Sequence, residues 1–433
     1  MEKFFETKYG YLVHGDNVEV MQELESSSFD SCISDFPYAI EFMGKQWDSN
    51  KNWNQGNDIH GQFQGTGYSG KKRPAFYANT KEDMLQFYDW CYERAVELFR
   101  ILKPGGYAAI FGHPKANHRM KCAFEDAGFD IVEEIDWLYL TGFPKNQDIE
   151  KLADKANKPE IAEKFNGYKT SGLKPAHEPI TVFQKPLEGT YLQNIEKYGC
   201  GAMNIDACRV PMSEEDADII NAKASKNPTR NYSTKDGKIY GAYGHDKASP
   251  ANDLGRFPPN IVMDESIAEE LDNQTGITKS TGGSGIASTS GRDRHIYGTY
   301  QDKENQDYGY SSLGGYGDIG GGSRMFPIFN YSAKVSPSER ELPNGIRNPH
   351  VTVKPVELIK WIIKLLTPIG GNTIDITAGS GTHGVATEQL NYDEKYNLHW
   401  VNIELMNTES DPYCDVAKLR IENANKGKAK KLF

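Results

Sequence analysis

A run of five residues near the start of the chain, Ser-Asp-Phe-Pro-Tyr at positions 34–38, combines groups that could hold a flat, polar ring. Asp35 offers two acceptor oxygens, and Tyr38 offers an aromatic face that can stack on a base. Pro37 fixes its own φ and pushes Phe36 toward an extended backbone, so the carbonyl groups of this turn have defined directions. Asp and Pro are also ordinary turn residues, and on their own these residues favour a simple turn over a binding site.

A second stretch that could do chemistry is the glycine loop at residues 375–383, which reads Asp-Ile-Thr-Ala-Gly-Ser-Gly-Thr-His. It stands between a strand pattern and a helix pattern. In that order, glycines let the backbone approach a ligand and the helix N-terminus offers free N–H groups. Glu404 ends the next strand pattern, where a carboxylate can accept hydrogen bonds from ribose hydroxyls. Asp375, the glycines and Glu404 together predict a nucleotide-like cofactor site; the alternative is a plain loop in a chain with 42 glycines.

Both stretches lie where strand and helix patterns alternate. Strands are predicted at 11–14, 29–33, 107–111, 129–140, 179–184, 372–376 and 398–405. Helices are predicted at 17–24, 84–102, 116–127, 356–366 and 383–390. This alternation favours a doubly wound α/β sheet. Such sheets bind ligands at the carboxyl ends of their parallel strands, so we expect the two stretches to form one pocket there.

The middle of the chain, residues 191–345, has a different texture, with short apolar islands among polar loops and a tract at 281–323 dense in Gly, Ser and Tyr. Within it, basic groups interleaved with aromatic ones suit contact with phosphates and bases. These candidate DNA contacts are Lys223, Lys226, Arg230, Tyr232, Lys235 and Lys238. A solvated, lysine-rich loop explains the same residues equally well.

Composition sets limits on what such a site could belong to. A chain of 433 residues with 38% hydrophobic content is long for one domain and predicts two domains, or one with a large insertion. The six cysteines form no CxxC pair, which predicts reduced thiols and no metal site. With no signal peptide and no apolar run long enough to span a bilayer, we expect a cytoplasmic protein. The net charge of −11 means that nucleic-acid binding must depend on local basic patches.

The chain resembles the β-class amino-methylating DNA methyltransferases of the bacteriophage or prophage type. The catalytic tetrapeptide DFPY precedes the cofactor loop TAGSGT, whereas most other methyltransferases carry the cofactor loop first. Further stretches similar to the family are GDNVEVMQEL, LKPGGYAAIFG, TGFPKNQDI, LKPAHEPITVFQKP, GAMNIDACRV, GRFPPNIV and HVTVKPVELIKWIIKLLTPIGG.

This resemblance implies a Rossmann-like fold for S-adenosylmethionine-dependent methyl transfer, built on a doubly wound, mostly parallel, seven-stranded sheet. It implies a catalytic half at residues 1–190, an inserted target-recognition region at 191–345 and a cofactor-binding half at 346–433. It also implies double-stranded DNA as the partner, allows a homodimer, and places the protein in the cytoplasm of a bacterium or phage-infected host cell.

The resemblance also implies a role for each site residue. Asp35 and the carbonyl of Phe36 would accept hydrogen bonds from the exocyclic amino group of a flipped base, and Tyr38 would stack on that base beside Pro37. Lys354 would pair with the methionine carboxylate of the cofactor, while Asp16 is a weaker candidate because it could instead cap a helix. The residues implied for S-adenosyl-L-methionine are Asp16, Thr352, Lys354, Pro355, Asp375, Ala378, Gly379, Gly381, Thr382 and Glu404.

The sequence departs from the family pattern at two places. Phe36 stands where the family usually has Pro, and the cofactor loop lacks the Pro and Phe that typically follow Asp375. His383 replaces a second Thr and could either face the cofactor or lie solvated or capping at the helix start. Asp35 at the head of the tetrapeptide favours N6 of adenine as the target, because N4-cytosine relatives often carry Ser there.

Three alternatives remain open from the sequence. The first is an N4-cytosine enzyme, and the second is a catalytically weak relative that acts as a DNA-binding or decoy protein. The third, methylation of RNA or protein amides, fits less well because those enzymes generally place the cofactor loop first.

Overall fold

The structure is a computed structural model. It describes residues 2–38, 81–140, 142, 144, 146–226, 252–279, 319–329, 342, 348–350 and 352–425. The chain divides into two compact units. The larger unit contains Met1–Cys208, Pro258–Ala268 and Phe326–Phe433, and the smaller contains Arg209–Phe257 and Glu269–Met325. The smaller unit falls within the stretch that the sequence predicts to be an insertion.

The larger unit is built on a mixed sheet of ten strands in its described part. They are β1 (Phe5–Glu6), β2 (Gly10–His14), β3 (Phe29–Asp35), β4 (Leu102–Phe111), β5 (Asp130–Leu138), β6 (His177–Gln184), β7 (Ile261–Asp264), β10 (Ile328–Phe329), β11 (Asn372–Asp375) and β12 (His399–Glu404). The spatial order is β1-β2-β12-β11-β3-β4-β6-β5-β7-β10. In the smaller unit, β8 (Thr278–Lys279) pairs antiparallel with β9 (Ile319–Gly320).

Eleven helices accompany these strands in the described residues. They are α1 (Asn17–Gln22), α2 (Lys81–Ile101), α3 (Asn117–Asp126), α4 (Ile149–Lys155), α5 (Pro159–Lys164), α6 (Tyr191–Tyr198), α7 (Glu214–Lys226), α8 (Glu265–Thr275), α9 (Val356–Leu366), α10 (Thr382–Asp393) and α11 (Tyr413–Glu422).

The doubly wound, mostly parallel α/β architecture is confirmed, while the predicted number of seven strands was wrong. Only β1 and β6 run against the other eight strands of the large sheet. Seven strands, from β2 to β5 in spatial order, match the seven predicted from the sequence. The three additional strands span two to four residues: β1 and β10 are the edge strands of the sheet, and β7 lies next to β10. Strands this short carry too few side chains for a hydrophobic period to be recognised.

The expectation of loops between residues 191 and 345 was also wrong for the described part, which contains α6, α7 and α8. Helix α6 shows why local signals suffice there. The Thr190 side chain and Gln193 form a reciprocal capping box at its start. Gly199, with φ of 74°, ends it in the left-handed conformation.

Two helical layers cover the sheet because successive strand residues point to opposite faces. Along β4, Ala108 and Ile110 join the hydrophobic cluster that contains Phe87 and Leu98 of α2. The intervening Tyr107, Ala109 and Phe111 join the opposite cluster, which contains Leu358 and Ile362 of α9. A sheet buried on both faces requires near-continuous apolar strands, as the sequence of β4 has.

The chain winds in opposite directions from two neighbouring strands. From β11 it continues to β12 on one side, and from β3 it continues to β4 on the other, while β3 and β11 pair in parallel. Open α/β sheets bind ligands at such a switch point, outside the carboxyl ends of the strands. Asp35 is the last residue of β3 and Asp375 the last of β11. The fold therefore brings the tetrapeptide and the glycine loop to the same edge of the sheet.

Candidate active site

Hydrogen bonds fasten the ends of β3 and β11 to each other. The Ser34 hydroxyl donates to Asp375 Oδ1 at 2.5 Å and accepts from the Ile376 N–H at 3.0 Å. The Thr377 hydroxyl donates to the backbone carbonyl of Asp35 at 2.9 Å. Burial raises the pKa of Asp375 to about 7, although the bonds from Ser34 and the Thr377 N–H oppose that rise. The two predicted stretches thus share one hydrogen-bonded seam.

Four polar side chains meet just beyond Asp35, and we call them the Asp35 cluster: Asp35, Tyr38, Glu178 and Lys354. The Lys354 ammonium lies 2.9 Å from Asp35 Oδ2, 2.5 Å from Glu178 Oε1 and 2.9 Å from the Tyr38 hydroxyl. That hydroxyl also contacts Asp35 Oδ1 at 2.9 Å and Glu178 Oε1. An ammonium has three N–H donors, so in this structure each of them has an acceptor within the cluster.

Strand direction explains how these residues meet. Because β6 runs antiparallel to β4, its first residues lie at the edge of the sheet where the parallel strands end, and this places Glu178 beside Asp35. Lys354 lies just before α9, whose start is set by Pro355 as the N-cap residue. The Lys354 ammonium also lies over the rings of Tyr38 and Phe111, 5.4 and 5.1 Å from their centroids.

The cluster carries two carboxylates against one ammonium in a buried setting. Burial raises the pKa of Asp35 to about 6; the Lys354 charge opposes this, and the Glu178 charge adds to it. Burial works against a charged Lys354, but Asp35 and Glu178 outweigh it and raise the pKa of the ammonium. Burial, followed by the charges of both carboxylates, raises the pKa of Tyr38 well above its usual value. Tyr38 therefore stays a neutral hydroxyl, while Asp35 can gain and lose a proton near neutral pH.

Phe36 places its ring in the core rather than in the pocket. The side chain is 2% exposed and makes an edge-on contact with Trp90 at 5.1 Å between centroids. It also packs against Phe124 at 6.0 Å. An aromatic residue at this position is therefore accommodated by α2 and α3, and only its backbone borders the site. Pro37 and Tyr38 are partly buried, and the Tyr38 ring lies 5.8 Å from that of His113.

The glycine loop wraps around the Glu404 carboxylate. Oε2 of Glu404 accepts from the Gly379 N–H at 2.6 Å, and Oε1 accepts from the Met406 N–H at 2.8 Å. Burial raises the pKa of Glu404 to about 7 against these two bonds. Each bonded oxygen keeps a second lone pair that could accept from a ribose hydroxyl.

Close backbone approach explains the two glycines of this loop. Gly379 and Gly381 have φ of 52° and 76°, in the left-handed region that other residues rarely adopt. A Cβ on Gly379 would lie 2.7 Å from His350 Nε2, and one on Gly381 would lie 2.7 Å from the Ala417 Cβ. Neighbouring protein atoms thus leave no room for a side chain at either position, and the loop can follow this path only with glycine there. This feature and the acidic group at the end of β12 fit the adenosine part of S-adenosylmethionine.

Arg420 braces the far side of the loop. Its guanidinium donates to the Ser380 carbonyl at 2.7 Å, to the Ser380 hydroxyl at 2.8 Å and to the Thr382 hydroxyl at 3.0 Å. The Ala378 N–H donates to the Ile403 carbonyl at 2.9 Å, which ties the loop to β12. The sequence analysis missed Arg420 because it did not predict α11, on which Arg420 lies.

Asp16 uses both carboxylate oxygens within the protein. Oδ1 caps α1 by accepting from the Val18 N–H at 2.9 Å, and Oδ2 lies 3.5 Å from Arg94. The capping alternative considered for Asp16 is thus observed. Thr352 donates its N–H to His350 Nδ1 at 3.3 Å, which places it beside the glycine loop.

The expectation that His383 lies solvated or capping at the helix start was wrong. The imidazole is 1% exposed and hydrogen-bonds Thr373 Oγ1 at 3.0 Å and Asn402 Oδ1 at 2.8 Å. Burial lowers its pKa to about 4, so the ring is neutral at physiological pH. Both ring nitrogens face residues of β11 and β12, and His383 therefore acts as a buried link between the two strands.

Glu178 is the main residue that sequence reasoning overlooked. It lies in the stretch LKPAHEPITVFQKP, one of those that resemble the methyltransferase family. A single Glu before a strand has no chemical signature of its own. The pairing of β6 with β4, which brings it to Asp35, is apparent only in the fold.

Most of the predicted DNA contacts lie outside the described residues. These are Arg230, Tyr232, Lys235 and Lys238. Lys223 and Lys226 lie in the last turns of α7, but the structure does not describe their side chains. In the described ranges, no helix is long and apolar enough to cross a membrane. The same ranges contain no group of three or more His, Cys, Asp or Glu residues arranged to hold a metal ion.

Comparisons with solved structures find distant likenesses. The PvuII DNA methyltransferase (cytosine-N4-specific) is 14% identical with a TM-score of 0.42, covering 97% of this chain and 91% of that one. TTHA0409 of Thermus thermophilus, a DNA modification methylase solved with S-adenosyl-L-methionine, is 13% identical with a TM-score of 0.38, covering 97% of each chain.

Comparisons with sequences are more specific. The type II methyltransferase M.HindIII of Haemophilus influenzae is 27% identical over 200 residues, covering 45% of this chain and 64% of that protein. The match thus spans less than two thirds of this curated relative. A family model described as DNA methylase, for the N6/N4 class, matches residues 29–413, a range that contains Asp35, Asp375 and Glu404. The chain therefore belongs to the N6/N4 DNA methylase family, a family of S-adenosylmethionine-dependent methyltransferases.

Proposed function

We propose that the chain is a DNA methyltransferase that flips a base out of double-stranded DNA and methylates its exocyclic amino group, N6 of adenine. One observation carries the proposal: the Asp35 cluster and the glycine loop end neighbouring parallel strands at the switch point of the sheet. This arrangement brings an amino-group acceptor and a cofactor cradle together, and family membership supports the same chemistry.

The glycine loop is the proposed cofactor cradle. Asp375, Gly379, Gly381 and Thr382 border it, and Glu404 would accept hydrogen bonds from the ribose. When bound, S-adenosylmethionine supplies a methyl carbon made electrophilic by its sulfonium. The protein would contribute positioning, because the glycine loop and the Asp35 cluster follow neighbouring parallel strands and would hold the cofactor and the amino group close together.

Asp35 and the Phe36 carbonyl would accept hydrogen bonds from the two N–H groups of the amino group. These hydrogen bonds would draw the nitrogen lone pair out of conjugation with the base ring. S-adenosylmethionine, held by the glycine loop and Glu404, would supply the methyl group to this nitrogen, which would leave its sulfur neutral and the nitrogen positively charged. One N–H proton then leaves to Asp35, whose pKa of about 6 suits a group that takes a proton and returns it to water. Tyr38 would hold the base by stacking. No covalent bond to the enzyme is needed.

The finer assignment rests on motif order and on Asp35. The tetrapeptide stands before the cofactor loop in the chain, the order of the permuted β class, and its first residue is Asp rather than Ser. Residues 191–345 are the proposed target-recognition region between the catalytic and cofactor-binding halves. The proposed enzyme acts in the cytoplasm.

The direct test is nucleoside mass spectrometry on double-stranded DNA incubated with purified protein and S-adenosylmethionine. We expect N6-methyladenine with the wild type and none with Asp35→Ala. Asp154→Ala, on the exposed face of α4, is the matched control and should retain full activity. N4-methylcytosine in place of N6-methyladenine would reassign the target base. DNA that is bound but unmodified by the wild type would contradict the enzymatic function and indicate a binding protein.

A further inference from the structure

The Asp35 cluster contains a second carboxylate, Glu178, to which the mechanism above gives no role. We propose that Glu178 is a positioning residue that accepts the hydrogen bond of the Tyr38 hydroxyl and shares Lys354, leaving Asp35 Oδ1 to accept the exocyclic N–H of the base. This inference rests on the proposed function and adds a residue to it.

The Tyr38 hydroxyl can donate only one hydrogen bond. Tyr38 has one hydroxyl proton and two carboxylate acceptors, Asp35 Oδ1 at 2.9 Å and Glu178 Oε1. A proton donated to Glu178 is not donated to Asp35. Without Glu178, the Tyr38 hydroxyl would donate to Asp35 and compete there with the amino group of the substrate.

Glu178 also helps to fix the positions of the Lys354 ammonium and the Tyr38 ring. Lys354 is 8% exposed and donates to Asp35 Oδ2, to Glu178 Oε1 and to the Tyr38 hydroxyl. Three acceptors on two separate segments, the tetrapeptide and the start of β6, fix the direction of the ammonium. Removing Glu178 leaves Lys354 bonded only to Asp35 Oδ2 and the Tyr38 hydroxyl, which lie on one segment, and the Tyr38 hydroxyl loses one of its acceptors. The proposed stacking face for the base would then be less well defined.

The charges of Glu178 and Lys354 act in opposite directions on the pKa of Asp35. The titratable groups that interact with Asp35 are Lys354, Glu178, Tyr38 and Asp375, and His113 lies next to the Tyr38 ring. The Glu178 charge raises the pKa of Asp35 and the Lys354 charge lowers it. Removal of the two charges must therefore move the Asp35 titration in opposite directions.

The experiment compares pH–rate profiles of the wild type, Glu178→Gln and Lys354→Met. For Glu178→Gln we expect the acid limb of kcat to move down by about one pH unit. We also expect kcat on the plateau to fall about tenfold with an unchanged KM for S-adenosylmethionine. For Lys354→Met the acid limb should move up. Glu178→Asp keeps the charge but shortens the reach, so it should keep the wild-type acid limb and lose kcat.

Glu188→Gln is the matched control, since Glu188 also bonds a lysine and a tyrosine, Lys197 and Tyr198, but at the exposed surface. It should leave the profile unchanged. An unchanged acid limb in Glu178→Gln would reduce Glu178 to a structural anchor and overturn the inference.

A second measurement does not depend on activity. In protein labelled with ¹³C at the Asp carboxyl carbons, the Asp35 signal is identified by its loss in Asp35→Asn and titrated in each variant. A lower midpoint in Glu178→Gln supports the coupling, and an unchanged midpoint refutes it. If the wild type methylates no DNA while the Asp35 midpoint still shifts, the proposed function fails and the coupling stands. If the wild type methylates DNA without such a shift, the function stands and the inference fails.

Discussion

Two groups of carboxylates lie at neighbouring strand ends: Asp35 with Glu178, and Asp375 with Glu404. The two groups differ in what bonds to them. Asp35 has a buried ammonium at 2.9 Å, and a second carboxylate shares that ammonium. Asp375 and Glu404 are more deeply buried than Asp35, but in the described part of the chain they are bonded by neutral hydroxyl and N–H groups and form no ion pair. The pKa of Asp35 accordingly rises to about 6, while those of Asp375 and Glu404 rise to about 7.

The difference suggests a division of labour. A carboxylate with its own counter-charge keeps its geometry through a reaction cycle and can handle a proton, as the proposed chemistry requires of Asp35. A carboxylate without a neighbouring cation can be stabilised as an anion by the positive charge of a bound ligand. The sulfonium of S-adenosylmethionine would supply that charge near Asp375 and Glu404. The first group should therefore control turnover, and the second should control cofactor affinity.

Lys354→Met tests this division with the largest expected effect. It leaves Asp35 and Glu178 as buried like charges, so we expect a loss of about 3–5 kcal/mol in the free energy of unfolding at neutral pH. Methylation should fall at least about 100-fold, because Asp35 would lose its fixed ionised form. Urea unfolding and single-turnover kinetics measure the two effects.

The control for Lys354→Met is Lys360→Met. Lys360 is also buried but pairs with Glu357, whose side chain is 59% exposed. That change should cost less than about 1 kcal/mol. Calorimetry with S-adenosylmethionine then separates the two roles of Lys354. Unchanged affinity in Lys354→Met supports its place in the Asp35 cluster, whereas a loss matching the loss of turnover would restore the role at the methionine carboxylate.

Gly379→Trp should affect the second group alone. Even a Cβ at this position meets His350 Nε2 at 2.7 Å, so the new side chain would push against His350 and deform the glycine loop. We expect calorimetric affinity for S-adenosylmethionine to fall at least about 100-fold, equivalent to about 3 kcal/mol. Gly370→Trp is the control, because Gly370 has a similar positive φ of 78° with open space around it. Wild-type affinity in Gly379→Trp would remove the glycine loop as the cofactor site.

The smallest effect is expected in the pH dependence of stability. A carboxyl whose folded pKa of about 7 exceeds its ordinary 4.5 binds protons more tightly in the folded state. Glu404 therefore contributes stability that is present below about pH 4.5 and is lost as the pH rises through about 7. Between pH 5 and 8, the wild type should lose about 2 kcal/mol more unfolding free energy than Glu404→Gln.

If the unfolding free energies of the wild type and Glu404→Gln instead change in parallel between pH 5 and 8, Glu404 is ionised without help from a ligand. Glu196→Gln, at an exposed position of α6, should follow the wild type.

Residue order alone was enough to predict the architecture of the larger unit. Apolar runs separated by capping and breaking residues are local signals, and they located the seven central strands. Asp35, the glycine loop and Glu404 stand at predicted strand ends, so their meeting at one edge follows from the alternation of strand and helix. The shortest strands were missed because they carry too few side chains to show a hydrophobic period. The helices of residues 191–345 were missed, although α6 carries capping signals at both ends, because polar residues dominate that stretch.

Tertiary structure decided which partner each of these residues has. Tyr38 meets Glu178 and Lys354, 140 and 316 positions away in the chain, because β6 runs antiparallel and α9 begins beside it. His383 became a buried link and Phe36 a core residue through the helices packed over them. The sequence states only that a carboxylate or an imidazole is present at a position. The charge state and bonding of that group depend on burial and on neighbours that only the folded chain brings together.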